Sequence, residues 1–299
     1  MKQTLVIGST VVDVIVNIPK LPKTGEDVHI SKQSRSLGGC AFLASDILRH
    51  FQVPYSLCTA VGGGIYGDYV YTHLKKRGVP IYIHRPESEN GCCYCMVEAD
   101  GERTFIVDHG IEYTFYESYL ETIDTDSIDS VYICGLEIEE YTGGEIVNYL
   151  EKHPDYTIYF ASGPRIMELP QDLVARIFAM HPILHLNEDE IMAYTHTTSH
   201  EAGAKALFAL TQNTVVVTLG EKGSYCYDGT NEIFVPSKPV ANVVDTIGAG
   251  DSHIGAIMAC RRLDMDWKKA LTIANEVSAA VVATEGGLLE KLPVEVSKT

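Results

Sequence analysis

Apolar and polar positions along the chain alternate between short, fully apolar runs and longer stretches that are apolar on one side only. Residues 5–7 form a short apolar run ending at Gly8, and further runs lie at 56–61, 131–134, 157–161, 183–186 and 214–219. The last, TVVVTL, is the most β-branched, and branched side chains fit a pleated surface. Runs of this length, apolar on both faces, predict strands of a buried parallel sheet. Between them, 143–152, 188–194 and 201–210 are amphipathic at helical spacing. A further helix is predicted after Gly38-Gly39, running to about Phe51 with Phe42, Leu43, Ile47 and Leu48 as its apolar positions. Residues 69–76 read as a helix closed by Gly78, and 252–263 as an apolar helix. Strands alternating with helices imply βαβ units whose helices cover both faces of the sheet. Residues 12–18, 28–34 and 91–107 break the rhythm: polar residues interleave with apolar ones, with turns at Gly25 and Asp100-Gly101. They predict a small antiparallel element projecting from the main sheet. No repeat or low-complexity linker appears, so one α/β domain over 1–299 is expected, three layers deep (α/β/α), with a small β-sheet lid from about 12–36 and 91–108.

Charge narrows the function. The 299 residues carry 23 Lys+Arg against 40 Asp+Glu, a net charge of −17, with no basic cluster to neutralise phosphates. Nucleic acid and acidic membrane surfaces are therefore excluded as partners. No run approaches the ~18 apolar residues of a membrane span. The apolar start meets Asp13 without a small-residue cleavage site, so a cytoplasmic protein is expected. Cysteines at 40, 58, 92, 93, 95, 134, 226 and 260 are too sparse for a disulfide scaffold. Cys92 and Cys95 form a C-x-x-C without a second pair, and the surrounding 92–97 reads as a strand, so these thiols are expected reduced and structural.

The strongest chemical signal is Asp245-Thr246-Ile247-Gly248-Ala249-Gly250-Asp251, between an extended stretch (234–244) and the apolar helix. Small residues at a loop-to-helix junction leave backbone N–H groups free to face an anion, and the helix dipole adds positive charge. A carboxylate beside them can accept a proton from an attacking hydroxyl. The same residues also suit a glycine-rich turn with Asp251 as an ordinary N-cap.

This heptad closely resembles the C-terminal signature of the ribokinase (PfkB) carbohydrate kinase family. Other segments are collinear with it: Gly8 with Asp13; Leu21-Pro22-Lys23-Thr24-Gly25-Glu26; Leu37-Gly38-Gly39; Val61-Gly62 with Gly67 and Gly78-Val79; Asp100-Gly101-Glu102-Arg103-Thr104-Phe105; Asn187-Glu188-Asp189-Glu190; 217–223; and Asn275 with Ala279-Ala280. The resemblance covers nearly the whole chain and implies a ribokinase-like fold and ATP-dependent phosphoryl transfer to a hydroxyl of a small sugar or sugar-like acceptor. It implies Asp251 as general base, and the amides of Gly248, Ala249 and Gly250 as an anion hole. Asp13, Gly38 and Gly39 would meet the acceptor. Asn187, Thr218, Gly220, Gly223 and Asn275 would border the nucleotide, Glu190 would help hold Mg2+ with Asn187, and a monovalent cation would lie near Asp245. Residues 187 and 190 are spaced to share a face at a helix start, and the same spacing suits a capping box without metal. A homodimer through exposed lid edges is also expected.

One position departs from the family. Sugar kinases of this kind often carry Asn where this chain has Leu43, which points to a less hydroxylated or partly apolar acceptor, such as a nucleoside. A ligand-binding protein without catalysis is the alternative from another class; it would need no proton acceptor.

Rival motifs are weaker. Gly62, Gly64 and Gly67 satisfy G-x-G-x-x-G, but the acidic residues near the distance a dinucleotide site needs, Glu87 and Glu89, follow Pro86 and read as a polar loop rather than the end of a second strand. There is no Walker A sequence and no calcium loop. His181 with His185, and His196 with His200, are four apart without an intervening Glu, and Pro182 breaks the first pair. Both pairs are read as structural or surface, and His253 as a partly exposed first-turn residue.

Overall fold

The short apolar runs pair side by side in a computed structural model that describes residues 2–294. In chain order the strands are β1 (Gln3–Ile7), β2 (Val11–Asn17), β3 (Lys32–Gly38), β4 (Tyr55–Cys58), β5 (Ala60–Gly63), β6 (Ile83–Glu89), β7 (Cys92–Val97), β8 (Arg103–Asp108), β9 (Ile128–Cys134), β10 (Thr157–Ala161), β11 (Ile183–Asn187), β12 (Val215–Thr218), β13 (Gly223–Tyr227) and β14 (Glu232–Pro236). The helices are α1 (Cys40–His50), α2 (Gly64–Lys76), α3 (Glu117–Leu120), α4 (Gly135–Glu139), α5 (Gly143–Glu151), α6 (Gln171–Ala179), α7 (Glu188–Thr195), α8 (His200–Thr211), α9 (Ala249–Arg262) and α10 (Trp267–Val282). The central sheet runs β14-β13-β12-β11-β10-β9-β1-β4. The six strands from β12 to β4 are parallel, β13 returns antiparallel to β12, and β14 is antiparallel to β13.

Alternation along each strand divides the core. Val6, Tyr132 and Val216 face the layer of α1, α9 and α10, while Leu5, Ile7, Val131, Ile133, Val215 and Val217 face α5, α6 and α8. Each fully buried Val, Leu or Ile contributes about 1.5–3 kcal/mol relative to exposure. Gly255 lets α9 cross α1 closely: a Cβ there would lie 2.7 Å from the Ala44 carbonyl oxygen. No helix among the described residues is long and apolar enough to cross a membrane.

A separate four-stranded sheet, ordered β3-β2-β7-β8, is built from the polar-interleaved segments. The expected antiparallel element is mixed: β2 pairs with β3, and β7 with β8, antiparallel, but β2 and β7 run parallel. The expected strand at 28–34 lies instead at 32–38, where the ladder to β2 overrides a segment with little apolar pattern. The outer strand β8 leaves Phe105, Ile106 and Val107 about half exposed. One buried carboxylate brackets the β7–β8 hairpin. Glu112 accepts hydrogen bonds from the amides of Gly91 and Gly110, which flank the hairpin, and from Asn90 Nδ2.

Glu87 and Glu89 lie on β6, which ends at Glu89, rather than in a loop, because 83–89 is held by pairing with β5. The G-x-G-x-x-G segment nonetheless has a packing explanation. A Cβ on Gly62 would lie 2.3 Å from the Ser88 carbonyl oxygen, one on Gly63 2.4 Å from that of Pro86, and one on Gly67 2.5 Å from Gly62. These glycines let β5 and α2 approach β6 closely.

Candidate active site

The parallel strands end together on one side, and their following turns gather the residues singled out by sequence. Thr218, Gly220, Gly223, Ala249, Gly250 and Asn275 line a cavity of about 710 Å³ with Thr246, His253 and Ala279. This volume lies within the ordinary range for a small-molecule site. The cavity lies between the β12–β13 turn and the start of α9.

The ordinary N-cap reading of Asp251 does not hold. The cap is Gly248, whose φ of 72° is left-handed, and no side chain caps α9. Asp251 therefore lies in the first turn with its carboxylate free for another task. Cys40, at the start of α1, hydrogen-bonds that carboxylate, while loss of surrounding water pushes Asp251 up to about 6 and the Glu137 charge adds to the rise. The amide of Ala249 closes a long turn onto the Thr246 carbonyl at 3.3 Å. No acceptor among the described residues takes the N–H of Gly248 or Gly250. A Cβ on Gly250 would meet nothing within 4 Å, so its face is open.

Asp13 stands on β2 with Ser36 and Cys93 as cross-strand neighbours. It is 7% exposed. Burial, and then the charges of Asp245 and Asp251, push it up to about 7, so the three carboxylates share one electrostatic neighbourhood. Gly38 and Gly39 connect β3 to α1 beside it. Leu43 is 4% exposed and lies beneath the α9 cap, since a Cβ on Gly248 would be 3.0 Å from its Cδ1.

Asn187 and Glu190 form a reciprocal capping box at the start of α7. Asn187 Oδ1 accepts the Glu190 amide at 2.8 Å, and Glu190 Oε2 accepts the Asn187 amide at 2.9 Å. Burial pushes Glu190 upward in pKa. Neither residue lines the cavity described above.

Two residues differ from expectation. His253 is 2% exposed rather than partly open. Its Nδ1 lies 3.0 Å from His185 Nε2, and its Nε2 lies 3.1 Å from Asn275 Oδ1. Asn275 Nδ2 donates to the Val235 carbonyl at 3.0 Å, so its amide serves the protein rather than facing outward. Sequence reasoning had no signal for this chain of polar groups, because its members come from β11, α9, α10 and β14. It likewise missed the role of Arg103, whose guanidinium reaches Asp245. The other histidine pair is not helical, since His196 is the left-handed cap ending α7 and His200 starts α8.

Residues 1–293 match the pfkB family of carbohydrate kinases. Over 290 residues the chain is 30% identical to the uncharacterized sugar kinase YegV of Escherichia coli (strain K12), covering 96% of this chain and 90% of that protein. It is 28% identical over 305 residues to the ribokinase of Bacillus subtilis (strain 168), covering 99% of each. The fold resembles the Arabidopsis thaliana ribokinase solved with ribose and ATP, at a TM-score of 0.78 and 21% identity, over 96% of this chain and 94% of that one. With the three-layer ribokinase-like fold and a match along almost its whole length, the chain belongs to the pfkB family of carbohydrate kinases.

Proposed function

We propose that this kinase transfers the γ-phosphoryl of ATP to a hydroxyl of a small sugar or sugar-like acceptor, with Asp251 as general base. The observation that carries this reading is the first turn of α9, which no side chain caps and where a half-buried carboxylate with raised pKa directly follows Gly250, whose open face lines a nucleotide-sized cavity. Asp251 takes the proton of the acceptor hydroxyl as its oxygen attacks the γ-phosphorus, and ADP departs with the electron pair of the broken P–O bond. The cradle of Gly248, Ala249 and Gly250 meets the charge on the transferred group; the inward lean of the Ala249 amide makes Gly248 and Gly250 the principal donors.

The nucleotide lies along Thr218, Gly220 and Gly223, with Asn275 and Ala279 bordering its base. Asp13 receives acceptor hydroxyls as a two-oxygen acceptor, and Gly38 and Gly39 let the acceptor approach the backbone. The second sheet acts as a lid that keeps water from competing as acceptor. Its half-exposed edge, β8, serves a homodimer.

Among the described residues no group of three or more His, Cys, Asp or Glu forms a metal cage. Mg2+ ordinarily needs only one or two carboxylates beside its waters, and Glu190 supplies a carboxylate at the start of α7. Glu190, with Asn187, would hold its water shell, and the ion would neutralise charge on the phosphate oxygens.

A coupled ADP-release screen over sugars, sugar acids and nucleosides tests the reading. Acceptor-dependent ADP release is expected. Leu43, which replaces the family's frequent Asn and packs beneath Gly248, makes nucleosides a specific arm of the screen. Tight ligand binding without any ADP release would leave a non-catalytic binder.

A further inference from the structure

We infer that the guanidinium of Arg103 is the resident cation of the Asp245 loop: a positioning residue that stands where a monovalent ion would otherwise be held, and that ties the second sheet to the amide cradle. Arg103 opens β8 and pairs across the ladder with Val97 of β7. From there its Nη1 donates to Asp245 Oδ1 at 2.6 Å and its Nη2 to the Val244 carbonyl at 3.1 Å. The rest of the Asp245 carboxylate is also spoken for. Oδ1 accepts the Ile247 amide at 2.8 Å, and Oδ2 accepts the Gly286 amide at 2.9 Å. The amides of Val244 and Asp245 both close onto the Val282 carbonyl.

Asp245 is 2% exposed. A carboxylate so far from water needs a compensating positive charge. An alkali ion would need the Asp245 oxygens and neighbouring carbonyls such as that of Val244. The guanidinium already engages Oδ1 and the Val244 carbonyl, Oδ2 holds the Gly286 amide, and two cations on one carboxylate repel. The residues present therefore do not fit an added monovalent ion at the Asp245 side chain, contrary to the expectation from family resemblance.

The arrangement has a second effect. Asp245 joins the start of the 245–251 loop to the segment at 286, and Arg103 joins both to β8. The Ile247 amide bonded to Asp245 immediately precedes the Gly248 cap, so the cradle's shape depends on a charge carried by the other sheet. The turnover arm below rests on the kinase reading; the melting arm does not.

Wild-type protein and the variants Arg103→Ala and Arg103→Lys are compared in potassium chloride and in tetramethylammonium chloride at equal ionic strength. Wild-type melting temperature and turnover are expected to be the same in both salts. Arg103→Ala is expected to lose turnover by about a hundredfold, as for a misplaced reacting group. Added guanidinium or potassium is expected to raise both its melting temperature and its kcat, with smaller effects on Arg103→Lys. A potassium-specific gain in wild-type turnover of about fivefold or more, the low end of ordinary coupling between ligands, would overturn the inference. So would an Arg103→Ala protein that folds and responds to neither cation, since a merely structural arginine gives that result. If Arg103→Ala does not fold, the wild-type salt comparison and Arg103→Lys decide the matter. Should no acceptor be turned over, the melting comparison still decides it.

Discussion

The Asp13 carboxylate fills the space that a side chain at residue 38 would need: a Cβ on Gly38 would lie 1.9 Å from Asp13 Oδ2. The two positions are therefore coupled by volume. Gly38→Ala must push Asp13 aside, and misplacement of a binding group by about 1 Å can cost about 10²-fold. Steady-state kinetics should show kcat/KM for the acceptor falling by about that factor, with nucleotide affinity kept. A variant with unchanged acceptor KM would show that Asp13 does not meet the acceptor.

Asp251→Asn keeps the shape and removes the base, so turnover should drop by about 10²–10⁴-fold while ADP still binds in calorimetry. Because desolvation raises Asp251 to about 6, wild-type kcat at saturating acceptor should climb as pH rises through about 6 and then level off, while kcat/KM also carries the ionisation of Asp13 near 7. The asparagine variant should lack that limb.

The same shift has a stability consequence. The folded protein holds the Asp251 proton more tightly than the unfolded chain does, so this group favours folding fully below the ordinary carboxylate pKa of 3.8 and loses that contribution as pH rises through about 6. Thermal melts of Asp251→Asn should gain most over wild type near pH 8 and least near pH 4. A gain that grows toward acid would contradict the burial cause.

The His185–His253–Asn275 chain fixes its own protonation. Asn275 Nδ2 donates to Val235, so its Oδ1 must accept from His253 Nε2–H, which leaves His253 Nδ1 to accept from His185. Burial lowers His253 to about 4 and His185 well below the usual range, so both stay neutral across ordinary pH. His253→Phe leaves the Asn275 Oδ1 without its donor beside the cavity and should weaken nucleotide binding about tenfold, near 1.4 kcal/mol. Affinity in the wild type should be flat between pH 5.5 and 8 as far as this chain is concerned. Calorimetric titration with ADP checks both.

Phe105, Ile106 and Val107 lie on the free edge of the second sheet. If that edge is the dimer contact, Phe105→Glu with Ile106→Lys should convert a dimer to a monomer in light scattering. A wild-type protein already monomeric at high concentration would rule the contact out.

Most of the architecture was legible because each central strand is a short run of apolar residues needed on both faces, as at 131–134 and 214–219. The apolar run at 56–61 predicts one strand, but the chain breaks it at Thr59 into β4 and β5, which join different sheets. The extended reading of 234–244 holds only as far as Pro236. β3 lies further along the chain than its pattern predicts because KQSRSLG carries almost no pattern of its own and takes its conformation from β2. At the site, the glycine-rich heptad announced itself through local spacing. The partners of its two aspartates did not: Cys40 and Arg103 are distant in sequence, and only tertiary packing brings them in.

Glu112 leaves a mechanical consequence. By gripping the amides on either side of the β7–β8 hairpin with a single side chain, it pins both roots of that ribbon to one point. The ribbon can then swing only as a stiff paddle, with bending displaced to the opposite root, where Ser9 and Thr10 lead into β2 and Gly39, at φ 95°, leads out of β3.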